Sequence, residues 1–194
     1  MPGRLFTVGH SNQSFERFAA LLLQNGVTAV ADVRSTPHSS YNPQFNREAI
    51  SESLSGVGIA YVFLGEELGA RRLEPECYRG DRVDFTFTSR SALFERGLRR
   101  VAEGLKSYDI ALMCAEKEPL ECHRSALISR FGQHRIGRPG HIREDGSVES
   151  QDELESRLLA MAGQPENDLF RSRDERLAEA YAWLEDRVAY RRPA

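Results

Sequence analysis

Short apolar runs alternate with amphipathic segments along most of the chain. Leu5-Phe6-Thr7-Val8 is a β-prone run closed by Gly9, and Phe15, Phe18, Leu21 and Leu22 then recur at helical spacing until Asn25-Gly26 stops them. Ala29 to Val33 reads as a second strand, residues 35–45 as a polar, turn-rich loop, and residues 47–54 as a helix ending at Gly56. Ile59 to Leu64 gives a third strand, followed by a loop rich in Gly, Arg and Glu and a helix over 91–106. Ile110 to Cys114 is a fourth strand, the next helix is expected over 122–131 with Gly132 as its stop, and a weaker fifth strand lies at His141-Ile142. Beyond it, 153–161 reads as helix, 163–167 as a break, and 173–190 carries Leu177, Tyr181, Leu184 and Val188 at spacings of three to four.

Near-continuous apolar strands between amphipathic helices are what a mostly parallel sheet covered on both faces requires. The expected fold is therefore α/β, a mostly parallel sheet with helices on both faces plus a C-terminal helix. Residues 1–162 are expected to form the α/β domain and 163–194 a helical extension packing on that domain or on a partner; oligomeric state is not legible.

A length of 194 residues suits one core, and 40% hydrophobic with 28% charged residues leaves both an enzyme and a binding module open. A net charge of -3 removes any overall pull toward nucleic acid or an anionic membrane. The basic loop Arg71, Arg72, Arg79 and Arg82 can still contact phosphates, or form a solvated face with Glu66, Glu67, Glu74, Glu76, Asp81 and Asp84 among the arginines. No run approaches the roughly 20 apolar residues of a membrane helix, and the N-terminus lacks a secretory layout, so a cytoplasmic location is expected, with no membrane partner. There Cys77, Cys114 and Cys122 are expected as thiols.

In open parallel sheets, ligands bind outside the carboxyl ends of the strands. Gly9-His10-Ser11, Asp32-Val33-Arg34-Ser35, Gly65 to Gly69 and Cys114-Ala115-Glu116 all fall there, so one polar cleft is expected to gather them with Cys122, His123 and Arg124. Within it Cys114 is the candidate nucleophile, its thiol lowered by helix starts and arginines, or else a core thiol; His10 and His123 are the candidate acid/base groups. Ser11, Asp32, Arg34, Ser35, Glu116 and Arg124 are the candidate substrate-binding groups, with the two arginines orienting a small or nucleotide-like anion. Asp32 and Arg34 can equally form a local ion pair.

A divalent metal is the one cofactor suggested. Cys114, Cys122 and His123, with Glu116 and with His10 or His141 across the cleft, have the ligand types for iron or zinc, although the paired Cys-x-x-Cys form is absent. The alternative to an enzyme is thus a metal-binding or nucleic-acid-binding module without turnover. No Gly-x-x-x-x-Gly-Lys-Ser/Thr element or other nucleotide-cofactor motif is present.

Two known layouts fit poorly. Tyrosine phosphatases place Arg six residues after the catalytic Cys, where this chain has Leu120. Rhodaneses share an Asp-Val-Arg near the second strand and a Cys loop before a helix, but here Arg124 is distant from Cys114 and Glu116, Glu118 and Glu121 occupy a glycine-free loop, which disfavours sulfur transfer. Read together, Thr7 to Ser11, Asp32-Val33-Arg34-Ser35-x-Pro37, Tyr61 to Gly69, and Met113-Cys114-Ala115-Glu116 followed by Cys122-His123-Arg124 resemble the bacterial and archaeal family catalogued as domain of unknown function 488, over about residues 4 to 145. The resemblance implies an α/β fold and a polar cluster at these positions, and no established reaction.

Overall fold

The computed structural model describes residues 3–165 and 167–193. In chain order the elements are β1 (Leu5–Gly9), α1 (Phe15–Gln24), β2 (Ala29–Asp32), α2 (Arg47–Gly56), β3 (Ala60–Phe63), α3 (Gly65–Leu68), β4 (Tyr78–Arg79) and β5 (Arg82–Val83). They continue with α4 (Phe85–Ser89), α5 (Ala92–Gly104), β6 (Ile110–Cys114), a π-helical segment Arg124–Ser129, α6 (Arg130–Ile136), β7 (Gly140–Ile142), β8 (Val148–Ser150), α7 (Gln151–Met161) and α8 (Arg173–Val188). The main sheet has the order β3-β2-β6-β1-β7-β8, parallel except for β8, while β4 and β5 form a separate hairpin.

Register decides which side chains share a face. Gly9 lies opposite Cys114, and Asp32 lies between Phe63 and Met113. Side chains alternate along each strand, so Phe6, Val8, Val30, Ala111 and Met113 face α1 and α2, packing on Phe18, Leu22, Ile50 and Leu54. Leu5, Ala29, Ala31, Val33, Ile110, Leu112 and Cys114 face the other way, toward Phe94 and Leu98 of α5, Leu158 of α7, and Leu177, Ala180, Tyr181 and Leu184 of α8. The C-terminal helix therefore shares the sheet's own core. Helix starts follow local chemistry: Ser14 caps α1, and Ser150 with Glu153 and Ser172 with Glu175 form reciprocal capping boxes on α7 and α8.

The structure departs from the sequence pattern in a few places. Gly132 does not stop a helix; it lies inside α6, where an added Cβ would stand 2.9 Å from a Leu98 methyl, and the stop is Gly137 at φ 81°. β8, the β4–β5 hairpin and α4 were not indicated, being two to five residues long. Part of the break expected over 163–167, at position 166, lies outside the described residues. Among the described residues no helix is long and apolar enough to cross a membrane.

Candidate functional site

The polar residues expected in one cleft form two groups on opposite faces of the sheet, meeting at its carboxyl rim. On the α1–α2 side, Asp32 is fully buried at the end of β2 and takes a two-pronged hydrogen bond from Arg34, Nε to Oδ1 at 2.9 Å and Nη2 to Oδ2 at 2.6 Å. The Tyr61 hydroxyl, from the neighbouring β3, donates to Asp32 Oδ2 at 2.8 Å. Arg34 continues outward, donating from Nη2 to the Phe45 carbonyl at 2.8 Å and from Nη1 to His10 Nε2 at 2.9 Å. His10 Nδ1 in turn donates to the Ser11 carbonyl at 2.7 Å, and the ring stacks on Phe45 at 4.2 Å. Burial and then the Arg34 charge push the imidazole down to about 4, so it stays neutral and accepts from the guanidinium. Burial, with the Asp32 carboxylate, pushes the Tyr61 phenol upward.

On the opposite side, β6 ends at Cys114 and the chain crosses a 3₁₀ turn, Pro119–Glu121, to deliver Cys122, His123 and Arg124 to the mouth of the π-helical segment. Cys114 Sγ donates to Glu116 Oε2 at 2.8 Å and Cys122 Sγ to the same oxygen at 3.1 Å. His123 Nδ1 lies 3.7 Å from each sulfur. The two sulfurs and an imidazole nitrogen all lie within 4.8 Å of one another, and all three residues are buried. His123 Nε2 is anchored at 3.1 Å to the Val33 carbonyl, which turns Nδ1 toward the thiols.

Three acidic groups crowd one point here, and their electrostatics show it. The hydrogen bond with Cys122, burial, and the Cys122 and Glu116 charges push the Cys114 thiol far up. Burial would raise Cys122 also, but the bond from Cys114 and the Arg124 and His123 charges outweigh it and hold this thiol well below its ordinary value. Lowering expected for Cys114 thus falls on Cys122, which the sequence offered only as a ligand. Burial and the Cys122 charge raise the Glu116 carboxyl. Burial acts to lower His123, yet Cys122 and Glu116 leave it raised.

The remaining candidates occupy other positions. Arg124 is buried, and its guanidinium donates to the carbonyls of Glu116 at 2.6 Å and Lys117 at 2.9 Å, which ties down the loop after β6. Gly9 makes room for it: a Cβ there would stand 1.9 Å from the Glu116 carbonyl oxygen and 2.9 Å from Arg124 Nη1. Both arginines expected to orient an anion are therefore engaged with internal acceptors. Ser11 takes a left-handed backbone, φ 50°, and its hydroxyl donates to Asn12 Oδ1 at 3.4 Å. Ser35 Oγ accepts from the Arg71 amide at 2.9 Å. His141 joins neither group; it lies between Thr7 and Gln151. In the basic loop, Arg72 pairs with Glu74, Arg79 with Asp84 and Arg82 with Asp186, leaving Arg71 without an ion pair among the described residues. Sequence reasoning missed Tyr61, Phe45 and the Val33 carbonyl, whose roles arise from strand pairing for Tyr61 and from tertiary contacts for Phe45 and Val33, and carry no local signal.

Fold and site together define a parallel α/β domain with a buried Cys-Cys-His cluster at a strand end. A family model described as Domain of unknown function DUF488 matches residues 14–131, and the chain belongs to that family. No curated protein and no solved structure matches the chain.

Proposed function

We propose that the chain binds one transition-metal ion, zinc(II) or iron(II), through Cys114 Sγ, Cys122 Sγ and His123 Nδ1, with Glu116 as fourth ligand or as the carboxylate beside an exchangeable position. The observation that carries this reading is the convergence of two buried sulfurs and one imidazole nitrogen within 4.8 Å of one another, with the Glu116 carboxylate oxygen against both sulfurs. Sulfur, nitrogen and carboxylate oxygen are the donor set of zinc and suit iron also. His123 supports it independently, since a ligating imidazole characteristically donates its other N–H to a carbonyl or carboxylate, as Nε2 does to Val33. A divalent cation would relieve the mutual repulsion of two thiolates and Glu116. When bound, such an ion supplies Lewis acidity or a structural clamp.

A second reading keeps the same residues for thiol chemistry on a small anionic substrate, with Cys122 as nucleophile and His123 or His10 as acid/base. The depressed Cys122 thiol favours it. Its burial, at 1% exposure, and the Glu116 carboxylate standing against both sulfurs oppose it, because an anion would meet negative charge on approach.

Cobalt(II) titration of metal-free, reduced protein, with elemental analysis of protein as purified, tests the proposal. One equivalent of cobalt with intense thiolate-to-metal absorption is expected, absent from Cys114→Ser and Cys122→Ser and weakened in His123→Ala. No thiolate absorption, combined with rapid iodoacetamide labelling of Cys122 at neutral pH, would overturn it in favour of the nucleophile.

A further inference from the structure

A cavity of 570 Å³ opens at the carboxyl ends of β2 and β3, on the same face of the sheet as the cysteines. Its wall includes Ser35, two residues beyond the Val33 carbonyl that holds His123. Two guanidiniums border it. That of Arg71 lies 5.0 Å over the Tyr190 ring, and that of Arg192 lies 3.7 Å over the Tyr78 ring. Among the described residues neither takes part in an ion pair, whereas nearby Arg72, Arg79, Arg82 and Arg191 all do.

The stacking platforms are fixed. The Tyr78 hydroxyl donates to the Arg72 carbonyl at 2.7 Å, the Tyr190 carbonyl accepts from the Val83 amide at 2.9 Å, and the Arg192 amide donates to the Asp81 carbonyl at 2.8 Å. The segment 190–192 is thereby pinned to the β4–β5 hairpin as a standing wall. A guanidinium held over a ring is positioned by that contact and can still offer N–H groups to an oxyanion, so part of its ordering cost is already met. Ser35 Oγ accepts from the Arg71 amide, so its own hydrogen remains available to donate into the cavity. On the same wall Glu74 is neutralised by Arg72, which leaves Glu66 as a carboxylate without an ion pair among the described residues.

We propose that this cavity binds a small phosphomonoester carrying a planar apolar body. The phosphate sits between Arg71 and Arg192 with the Ser35 hydroxyl as a further donor, and the body lies against Tyr78 and Leu93. Two cations against one carboxylate favour a single compact dianion, while a chain of phosphates would bring further negative charge against Glu66. The volume falls in the range of small-molecule sites, roughly 300–1,000 Å³. No metal ligand takes part, so this site stands or falls separately from the Cys-Cys-His cluster.

The test is titration of phenyl phosphate, and separately inorganic phosphate, into the intact protein, read by calorimetry and by amide shifts. Phenyl phosphate is expected to bind roughly tenfold or more tighter than inorganic phosphate, shifting the amides of Ser35, Gly65 and Gly69. Arg71→Gln and Arg192→Gln are expected each to weaken it roughly tenfold, and Arg99→Gln, on an exposed position of α5, to leave it unchanged. Equal binding of the two phosphates, equal loss with Arg99→Gln, or shifts confined to other amides would overturn the proposal. So would a single-stranded oligonucleotide that moves the same amides at lower concentration, which would make the wall a nucleic-acid surface. The amide shifts of the unaltered protein decide the matter even if an arginine variant fails to fold.

Discussion

Arg34 directs its guanidinium into the fold, to both oxygens of Asp32, to His10 Nε2 and to the Phe45 carbonyl. It joins the ends of β1 and β2 to the turn that precedes α2, and its removal is expected to appear as lost stability. Arg34→Lys keeps a charge beside Asp32, but an ammonium on a linear stem cannot reach the remaining acceptors, and each buried group left unpaired costs about 1–3 kcal/mol. A loss of about 2–4 kcal/mol in urea unfolding is the expected outcome. A change below about 1 kcal/mol would show that the fork is dispensable. Gly9→Ala is expected to be at least as damaging, because the new methyl must displace the Glu116 carbonyl and Arg124, and with them the loop carrying the cysteine cluster. The strand-end positions of His10, Asp32, Arg34 and Cys114 were legible in the sequence, since apolar runs end there. Their division between two faces was not. Parity within a strand is written in its residue order, but parity between strands depends on register, and only the pairing of Gly9 with Cys114 and Asp32 with Met113 sets it.

Among the elements, α8 is joined to the sheet by a buried hydrogen-bonded line as well as by apolar packing. Thr7 Oγ1 donates to His141 Nδ1, His141 Nε2 donates to Gln151 Oε1, and Gln151 Nε2 donates to the Tyr181 hydroxyl, which donates to Glu155. Every member lies at or below 5% exposure, so each interruption leaves a buried group without a partner. Tyr181→Phe is expected to cost about 1–3 kcal/mol and to raise amide exchange in α8 before it does so in β6. Uniform exchange across both elements would show that α8 and the sheet open as one unit. The helical spacing of Leu177, Tyr181 and Leu184 made α8 legible, as did the apolar runs of β1, β2, β3 and β6. What was not legible is short or dictated from outside. β8 exists because β7 offers it an edge, and Gly132 admits the close approach of Leu98 where its position suggested a helix end.

At the scale of the whole molecule, buried imidazoles and one ion-pair network give folding stability a pH dependence whose sign can be worked out. His141 is pushed down to about 4, chiefly by burial with the Arg124 and Arg143 charges adding, and His10 to about 4 by burial and Arg34. Both folded values lie below the unfolded value of about 6.5, so above that pH neither imidazole is charged in either state and the contribution of this pair is full. As pH falls toward 4 the unfolded chain takes up protons that the folded chain refuses, and stability drops, by on the order of 3 kcal/mol for each imidazole. Glu118 acts lower on the scale. Hydrogen bonds from Arg143 and Arg157 overcome the effect of burial and hold its carboxyl down to about 2. Its contribution is complete above the unfolded value of about 4.5 and disappears as pH falls through 2, and solvent screening of the partly exposed network keeps it small. Metal-free protein unfolded by urea at a series of pH values should therefore show a steep decline from about 6.5 to 4, with a shallower one below. His141→Gln, which can retain hydrogen bonds to its neighbours but cannot take a proton, is expected to halve the steep limb and leave the shallow one. Glu118→Gln is expected to do the reverse, flattening only the lower limb. A steep limb unchanged by His141→Gln would mean that protons taken up in this range bind elsewhere, and that the Thr7–His141–Gln151 line is neutral to acid.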